Sequence, residues 1–317
     1  MSTRPRRPRR LPRRVLAGLV VLAAPLLAGC AAAGPPVALH GRILAIGAEN
    51  QYANVISQVG GRYVEAVAIM SNPDTDPHSF EASASVAQAV ARARLVVQNG
   101  LGYDAFMNKI EAATPSARRQ VIDVQTLRHL PDTTANPHLW YDPRTMPALA
   151  GALAARLSAI EPRHARYFRS RAARFVASLR PWRRALARFA RRHPGTTAAT
   201  SEPVADALLQ AAGIRDLTPF SLQADVMNGT DPAPQAVSLQ DRLLSTRRVR
   251  VFVYNRQVTD SITRGFLAVA ARAHVPVVGV YETMPAPGFD YQTWMMAELR
   301  AVERAVTRGI STRRLVP

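Results

Sequence analysis

Two histidines and two glutamates in this chain occupy positions from which a ligand could be held. His78 and His138 each follow a proline, in Asp76-Pro77-His78 and Asn136-Pro137-His138. A proline fixes its own φ and so limits the backbone freedom of the side chain presented next to it. Glu202 lies two residues beyond a short run ending at Thr200, and Glu282 two beyond a run ending at Val280. Imidazoles and carboxylates together suit Zn(II), Mn(II) or Fe(II), and the lack of Cys or clustered Met ligands argues against Cu(I). Each residue also has a plain structural explanation. Glu202, beside Pro203 at the head of a helix, is a favourable anion near the positive end of the helix dipole. Glu282 reads equally as a loop carboxylate, and a single histidine is more often a hydrogen-bonded structural group than a ligand. The other histidines, His40, His129, His164, His193 and His274, stand in tether, loop or helix settings without neighbouring candidate ligands.

The elements that would position these residues alternate along the chain. Apolar runs at Ile43 to Ile46, Val64 to Met70, Leu95 to Val97 and Val121 to Val124 read as strands. Between them lie helical patterns through Tyr52 and Ile56, around Val86 to Ala93, and from Tyr103 to Ala112. From Arg163 to Arg192 the chain is rich in Ala, Leu and Arg and reads as one helix, about 45 Å long at 1.5 Å per residue, kinked at Pro181. Its eleven arginines read as a solvated face. A second series follows: strands at Thr196 to Thr200, Val249 to Tyr254 and Val275 to Val280, with helices from Val204 to Ala212, Gln235 to Ser245, Ser261 to Arg272 and Tyr291 to Thr307. Leu217 to Pro234 reads as irregular. Strands separated by helices at this spacing predict βαβ units, hence an α/β chain of two lobes with mostly parallel sheets joined by a single long backbone helix. In open sheets of this kind ligands bind beyond the carboxyl ends of the strands, where all four candidate residues fall.

The first 29 residues read as a secretion signal. Seven arginines between Arg4 and Arg14 precede a 13-residue apolar run, Val15 to Leu27, and small residues follow. That run is shorter than the roughly 20 residues a transmembrane helix needs. Leu27-Ala28-Gly29-Cys30 resembles a bacterial lipobox, which makes Cys30, the only cysteine, the expected lipidation site and the mature chain one that is anchored outside the cytoplasm. Residues 30–40 are expected to form a tether, 41–150 a first α/β lobe, 151–193 a linking helical region and 194–317 a second lobe. With no second cysteine there is no disulfide, so packing must supply the stability. The formal charge of +19 falls to +12 once the seven signal arginines are set aside. Arginine supplies nearly all of it, Lys109 being the sole lysine. No nucleic-acid module or aromatic interleaving accompanies the charge, so no nucleic-acid partner is expected; attraction to an anionic membrane surface is the secondary reading of the excess.

Several motifs carry a resemblance. Ala48-Glu49-Asn50-Gln51-Tyr52, Ser71-Asn72-Pro73, Asp76-Pro77-His78-Ser79-Phe80-Glu81, Val96-Val97-Gln98-Asn99-Gly100, Asn136 to Pro143, Thr200-Ser201-Glu202 and Val278-Gly279-Val280-Tyr281-Glu282 are together similar to the zinc/manganese class (cluster A-I) of solute-binding proteins of ABC importers. The resemblance spans nearly the whole mature chain and implies two α/β lobes bridged by a rigid helix, with the metal in the interlobe cleft. It assigns His78 and His138 from the first lobe and Glu202 and Glu282 from the second as metal ligands, for zinc first, manganese next, or iron. It also implies a monomeric receptor that hands its ion to a permease and catalyses no reaction. The family often has Asp at the position of Glu282, and many zinc receptors have His at that of Glu202 together with a His-rich acidic loop, which this chain lacks. Asp76 and Asp142, near the two histidines in sequence, are candidates to orient the imidazoles. The rival expectations are a secreted metal-dependent hydrolase, for which neither a His-Glu-x-x-His helix nor a Gly-x-Ser-x-Gly elbow is present, and a receptor of the same fold for an iron chelate or vitamin.

Overall fold

The computed structural model of the chain describes residues 41–72, 80–285 and 287–317. The first lobe contains β1 (Ile43–Glu49), α1 (Asn50–Gly60), β2 (Val64–Met70), α2 (Ala84–Arg92), β3 (Leu95–Gln98), α3 (Ala105–Ala113), β4 (Gln120–Asp123), α4 (Val124–Leu127) and α5 (Thr145–Ile160). Then come α6 (Ala165–Ser178) and α7 (Arg180–Arg192). The second lobe contains β5 (Thr197–Thr200), α8 (Asp206–Ala211), β6 (Arg215–Asp216), α9 (Phe220–Met227), α10 (Pro234–Ser245), β7 (Val251–Asn255), α11 (Ser261–Arg272), β8 (Val277–Val280) and α12 (Tyr291–Arg308).

Both sheets have four parallel strands in the same order, β2-β1-β3-β4 and β6-β5-β7-β8. Continuous apolar runs make such strands because helices cover both faces, and every residue of β1, β7 and β8 is buried. The order in which strands are added reverses between β1 and β3 in one lobe and between β5 and β7 in the other, so a crevice opens at the carboxyl ends of each parallel pair. Gly47 lets α1 fold back tightly after β1, since a Cβ there would lie 2.4 Å from the Ala53 backbone nitrogen.

The two-lobe α/β architecture is the one expected, with three differences in its helices. The 163–192 segment is two helices interrupted at Leu179, because Pro181 has no N–H to donate and its ring crowds the carbonyl four residues back, that of Ala177. Helix α5 begins at Thr145, ahead of the linking helical region expected from residue 151, and is a helix separate from the 163–192 segment; its small residues weaken the periodic pattern, although Leu149, Leu153 and Leu157 are fully buried. Helix α9 lies inside the stretch expected to be irregular, and the two-residue β6 is too short to leave a sequence signal.

The lobes share one continuous core. All three tryptophans, Trp140, Trp182 and Trp294, are buried, and edge-on aromatic contacts join them: Tyr52 to Trp140 at 6.4 Å, Tyr141 to Trp294 at 5.6 Å, and Tyr291 to Trp182 at 6.2 Å. Polar bonds cross with them. The Tyr291 hydroxyl donates to the Trp140 carbonyl (2.6 Å) and the Tyr141 hydroxyl to the Tyr281 carbonyl (2.8 Å). Breaking this interface would expose large aromatic area.

Candidate metal site

His138 is held from three sides. Asn99, just after β3, donates through Nδ2 to the Pro137 carbonyl (2.9 Å), while its Oδ1 accepts from Tyr52 (2.6 Å). The Asn136 amide sits beside the ring with its orientation settled, because Oδ1 accepts the His138 backbone N–H (3.0 Å) and Nδ2 donates to the Pro203 carbonyl of the second lobe (2.7 Å). Oδ1 also lies 2.8 Å from His138 Nδ1, so that nitrogen carries the ring proton and donates. In a neutral ring the lone pair is then on Nε2, which lies 3.2 Å from Glu282 Oε2 with both side chains fully buried. A lone pair facing a carboxylate is repulsive, so the contact requires a proton or a cation shared between the two atoms.

Glu202 and Glu282 are joined by a residue the sequence reading missed. Asn255, the last residue of β7, donates through Nδ2 to Glu202 Oε2 (2.9 Å) and to Glu282 Oε1 (2.5 Å). Its Oδ1 accepts the Gln257 backbone N–H (3.0 Å), so the amide cannot be turned round. Tyr103 also reaches across the lobes, its hydroxyl donating to Glu282 Oε2 at 3.0 Å. The Glu282 backbone is fixed by Gln257 Oε1, which accepts its N–H (2.6 Å), and by Gln51 Nε2, which donates to its carbonyl (3.2 Å). Asn50 bonds both the N–H and the carbonyl of Met284 in the same loop (2.9 and 2.7 Å). The only available pointer to Asn255 was topological, since it ends the strand beside the crevice of the second lobe.

Burial separates the site from solvent: His138 is 2% exposed, Glu202 3%, Glu282 0% and Asn255 1%. Among the described residues no three of His, Cys, Asp and Glu converge closely enough to enclose an ion. The structure brings His138, Glu202 and Glu282 together around Asn255, while His78 and Asp76 lie outside the described residues. Asp142 is not beside the His138 ring nitrogen Nδ1, which Asn136 takes. It is bound instead by Arg144 at 2.7 Å and Arg128 at 3.3 Å; burial alone would raise its carboxyl, but these partners hold it below the usual carboxylate range. Four residues of sequence separation carry no information about direction here, because the one-turn helix at Leu139–Tyr141 swings Asp142 outward.

A further buried acid, Glu49, ends β1, and neither of its oxygens has a hydrogen-bond partner among the described residues. Burial first, and the charge of Asp104 second, push its carboxyl well above the usual range. Asp104 is itself pushed up to about 6 by burial, although the N–H groups of Asn99 (2.6 Å) and Gly100 (3.0 Å) oppose the shift.

Comparison with known proteins places the chain. The family model described as "ZnuA: Zinc-uptake complex component A periplasmic" matches residues 48–305. A 94-residue stretch is 33% identical to a Thermotoga maritima protein described as "Putative metal-binding protein", covering 30% of this chain; the chain thus spans 33% of the length of that curated relative. Among solved structures, the periplasmic zinc binding protein TroA from Treponema pallidum superimposes with a TM-score of 0.70 at 17% identity, covering 85% of this chain and 100% of that one. The solute-binding protein FpvC from Pseudomonas aeruginosa, in complex with Mn2+, gives 0.67 at 21% identity (84% and 98%). The Mn-bound S38A mutant of a periplasmic metal binding protein from Candidatus Liberibacter asiaticus gives 0.68 at 14% identity (84% and 100%). At these identities the structures establish the fold, and the family match, running over most of the sequence, establishes the kinship: this chain belongs to the family of periplasmic A components of zinc-uptake complexes, metal-binding solute-binding proteins made of two α/β lobes.

Proposed function

We propose that the chain is the extracytoplasmic receptor of an ABC importer, which captures one divalent transition-metal ion between its lobes and hands it to a permease. The observation that carries this reading is the buried pair His138 Nε2 and Glu282 Oε2, 3.2 Å apart and drawn from opposite lobes. Two donors each about 2.0–2.1 Å from one zinc-class ion at a tetrahedral angle lie about 3.3 Å apart, so the pair already has the spacing of one edge of a coordination shell. Asn255 holds Glu202 and Glu282 on a shared donor, where a cation would take over the role of the amide. Asn136 fixes the tautomer that leaves Nε2 free of the ring proton, as a metal-bound imidazole needs.

In this reading His78 and His138 bind first as neutral imidazoles, and Glu202 and Glu282 close the shell and neutralise the ion. The ion would take the position between His138 Nε2 and Glu282 Oε2. Parting of the lobes would withdraw the carboxylates and free the ion. Zinc is favoured and manganese next; divalent affinities at such sites rise from Mn(II) to Zn(II) whatever the physiological cargo. The lobe limits 41–150 and 194–317, the linker 151–193, the tether 30–40 and lipidation at Cys30 belong to the same proposal.

The test is elemental analysis of the mature protein, purified without chelator, beside His78→Ala/His138→Ala. One equivalent of zinc, manganese or iron in the first and none in the second is expected. A wild-type protein that takes up no metal even on reconstitution would end the proposal.

A further inference from the structure

The eleven arginines between residues 163 and 192 are segregated as well as numerous. No Asp or Glu occurs between Glu161 and Glu202. Ten of the eleven are exposed, and among the described residues none takes part in an ion pair. On α7 the buried positions are Trp182, Leu186 and Phe189, whereas Arg180, Arg183, Arg184, Arg188, Arg191 and Arg192 make up most of the outer face. With α6 the charge runs along 28 residues, about 42 Å at 1.5 Å per residue.

Two placements give this ridge a direction. First, it faces away from the candidate metal site. From His138 the packing runs to Trp140 (5.4 Å between rings), to Tyr291 through its bond to the Trp140 carbonyl (2.6 Å), and on to Trp182 (6.2 Å); the arginines lie on the far side of the helix that bears Trp182. Second, the described chain enters the fold beside the start of the ridge. Ile43 pairs with Val64, and the preceding Tyr63 stacks on His164 at 3.7 Å, one residue before α6. Cys30, the expected lipidation site, lies eleven residues before Gly41 in the sequence, so a chain anchored there would enter the fold at this end of the ridge.

We propose that, while the protein is capturing its ion, the α6–α7 ridge docks it on the anionic headgroups of the membrane, leaving the site between the lobes on the side turned away from the lipid; delivery to a permease requires this contact to be released. A uniform row of arginines with no large apolar side chain exposed among them lacks the aromatic anchors of a protein interface, whereas a lipid surface needs only charge, each Lys or Arg near it adding attraction. This rests on the metal-receptor reading only for the statement that the site stays accessible. The lipid contact itself is read without metal.

Residues Leu39–Pro317 form a compact unit that contains the hydrophobic core and serve as the test protein. Cosedimentation is measured on phosphatidylcholine vesicles with and without 30% phosphatidylglycerol, for wild type and for Arg183→Gln/Arg184→Gln/Arg188→Gln/Arg191→Gln. Circular dichroism checks that the variant is folded. The expected result is binding to the anionic vesicles alone, weakened steeply by salt and at least tenfold by the four substitutions, with zinc uptake by the vesicle-bound protein equal to that in solution. Equal binding to neutral vesicles, an unaffected variant, or binding only to a permease would overturn the proposal. Zinc uptake blocked by anionic vesicles would place the contact at the cleft and overturn it as well; a protein that takes up no zinc in either setting fails the receptor reading and leaves the lipid result standing.

Discussion

Replacing Asn255 by Ala removes a single neutral amide and should have an effect out of proportion to its size. Its Nδ2 spans Glu202 Oε2 and Glu282 Oε1 at 2.9 and 2.5 Å, and both carboxylates are nearly inaccessible to water. Hydrogen bonds to charged groups contribute about 1.5–3 kcal/mol each, and a buried acceptor left without its donor bears a desolvation cost. The truncated site can recover part of this by admitting water or binding a proton. A net loss of about 2–4 kcal/mol is therefore expected in the metal-free protein, or roughly 3–7 °C in melting temperature for a chain of this size. A cation between the carboxylates would replace the amide's role, so saturating zinc should raise the melting temperature of the variant by more than it raises that of wild type. Differential scanning calorimetry with chelator and with zinc measures both shifts. If the metal-free variant melts with wild type, or if zinc shifts the two equally, then the amide is not what holds the carboxylates together and the reasoning fails.

Glu298 supplies a pH-dependent prediction. Burial pushes its carboxyl up to about 8, against the bonds it accepts from Trp294 Nε1 (3.0 Å) and the Tyr141 hydroxyl (3.2 Å). Between the ordinary carboxylate range and about 8 the folded protein holds a proton that the unfolded chain has lost, so stability falls as pH rises through that window and levels off above it. Glu298→Gln keeps the accepting oxygen and cannot ionise. Urea unfolding at pH 5 and pH 8.5 should show the stability difference moving in favour of the variant at the higher pH, by at most about 5 kcal/mol. Asn136→Ala removes the acceptor at His138 Nδ1 and the bond to the Pro203 carbonyl, and should weaken zinc binding about 10–100-fold in a chelator competition while leaving the metal-free fold intact.

The elements were legible where one local rule governed them. Buried parallel strands read as short apolar runs because both faces are covered, and the termini of α11 and α12 are fixed by Asp260 and Asp290, whose side chains accept the N–H groups of Thr263 and Thr293. The break at Leu179 was half legible: Pro181 announces a disruption, but whether the helix bends or stops depends on how Trp182 and Phe175 pack on either side of it. Helix α9 and the start of α5 escaped because burial against other elements, rather than a strong pattern of their own, stabilises them.

At the candidate site the sequence alone placed Glu202 and Glu282 just beyond strands, at the carboxyl ends of the second sheet, and its motifs indicated the family. Tertiary structure alone decided which groups surround them. Asn255 matters because parallel pairing of β5, β7 and β8 brings three strand ends side by side. Tyr103 matters because it reaches a glutamate 179 residues away. Asn136 rather than Asp142 meets the imidazole because a single turn of backbone decides which side chain faces inward. Residue type and strand position are local properties of a chain, whereas the charge balance of a buried site is set by distances between segments remote in sequence.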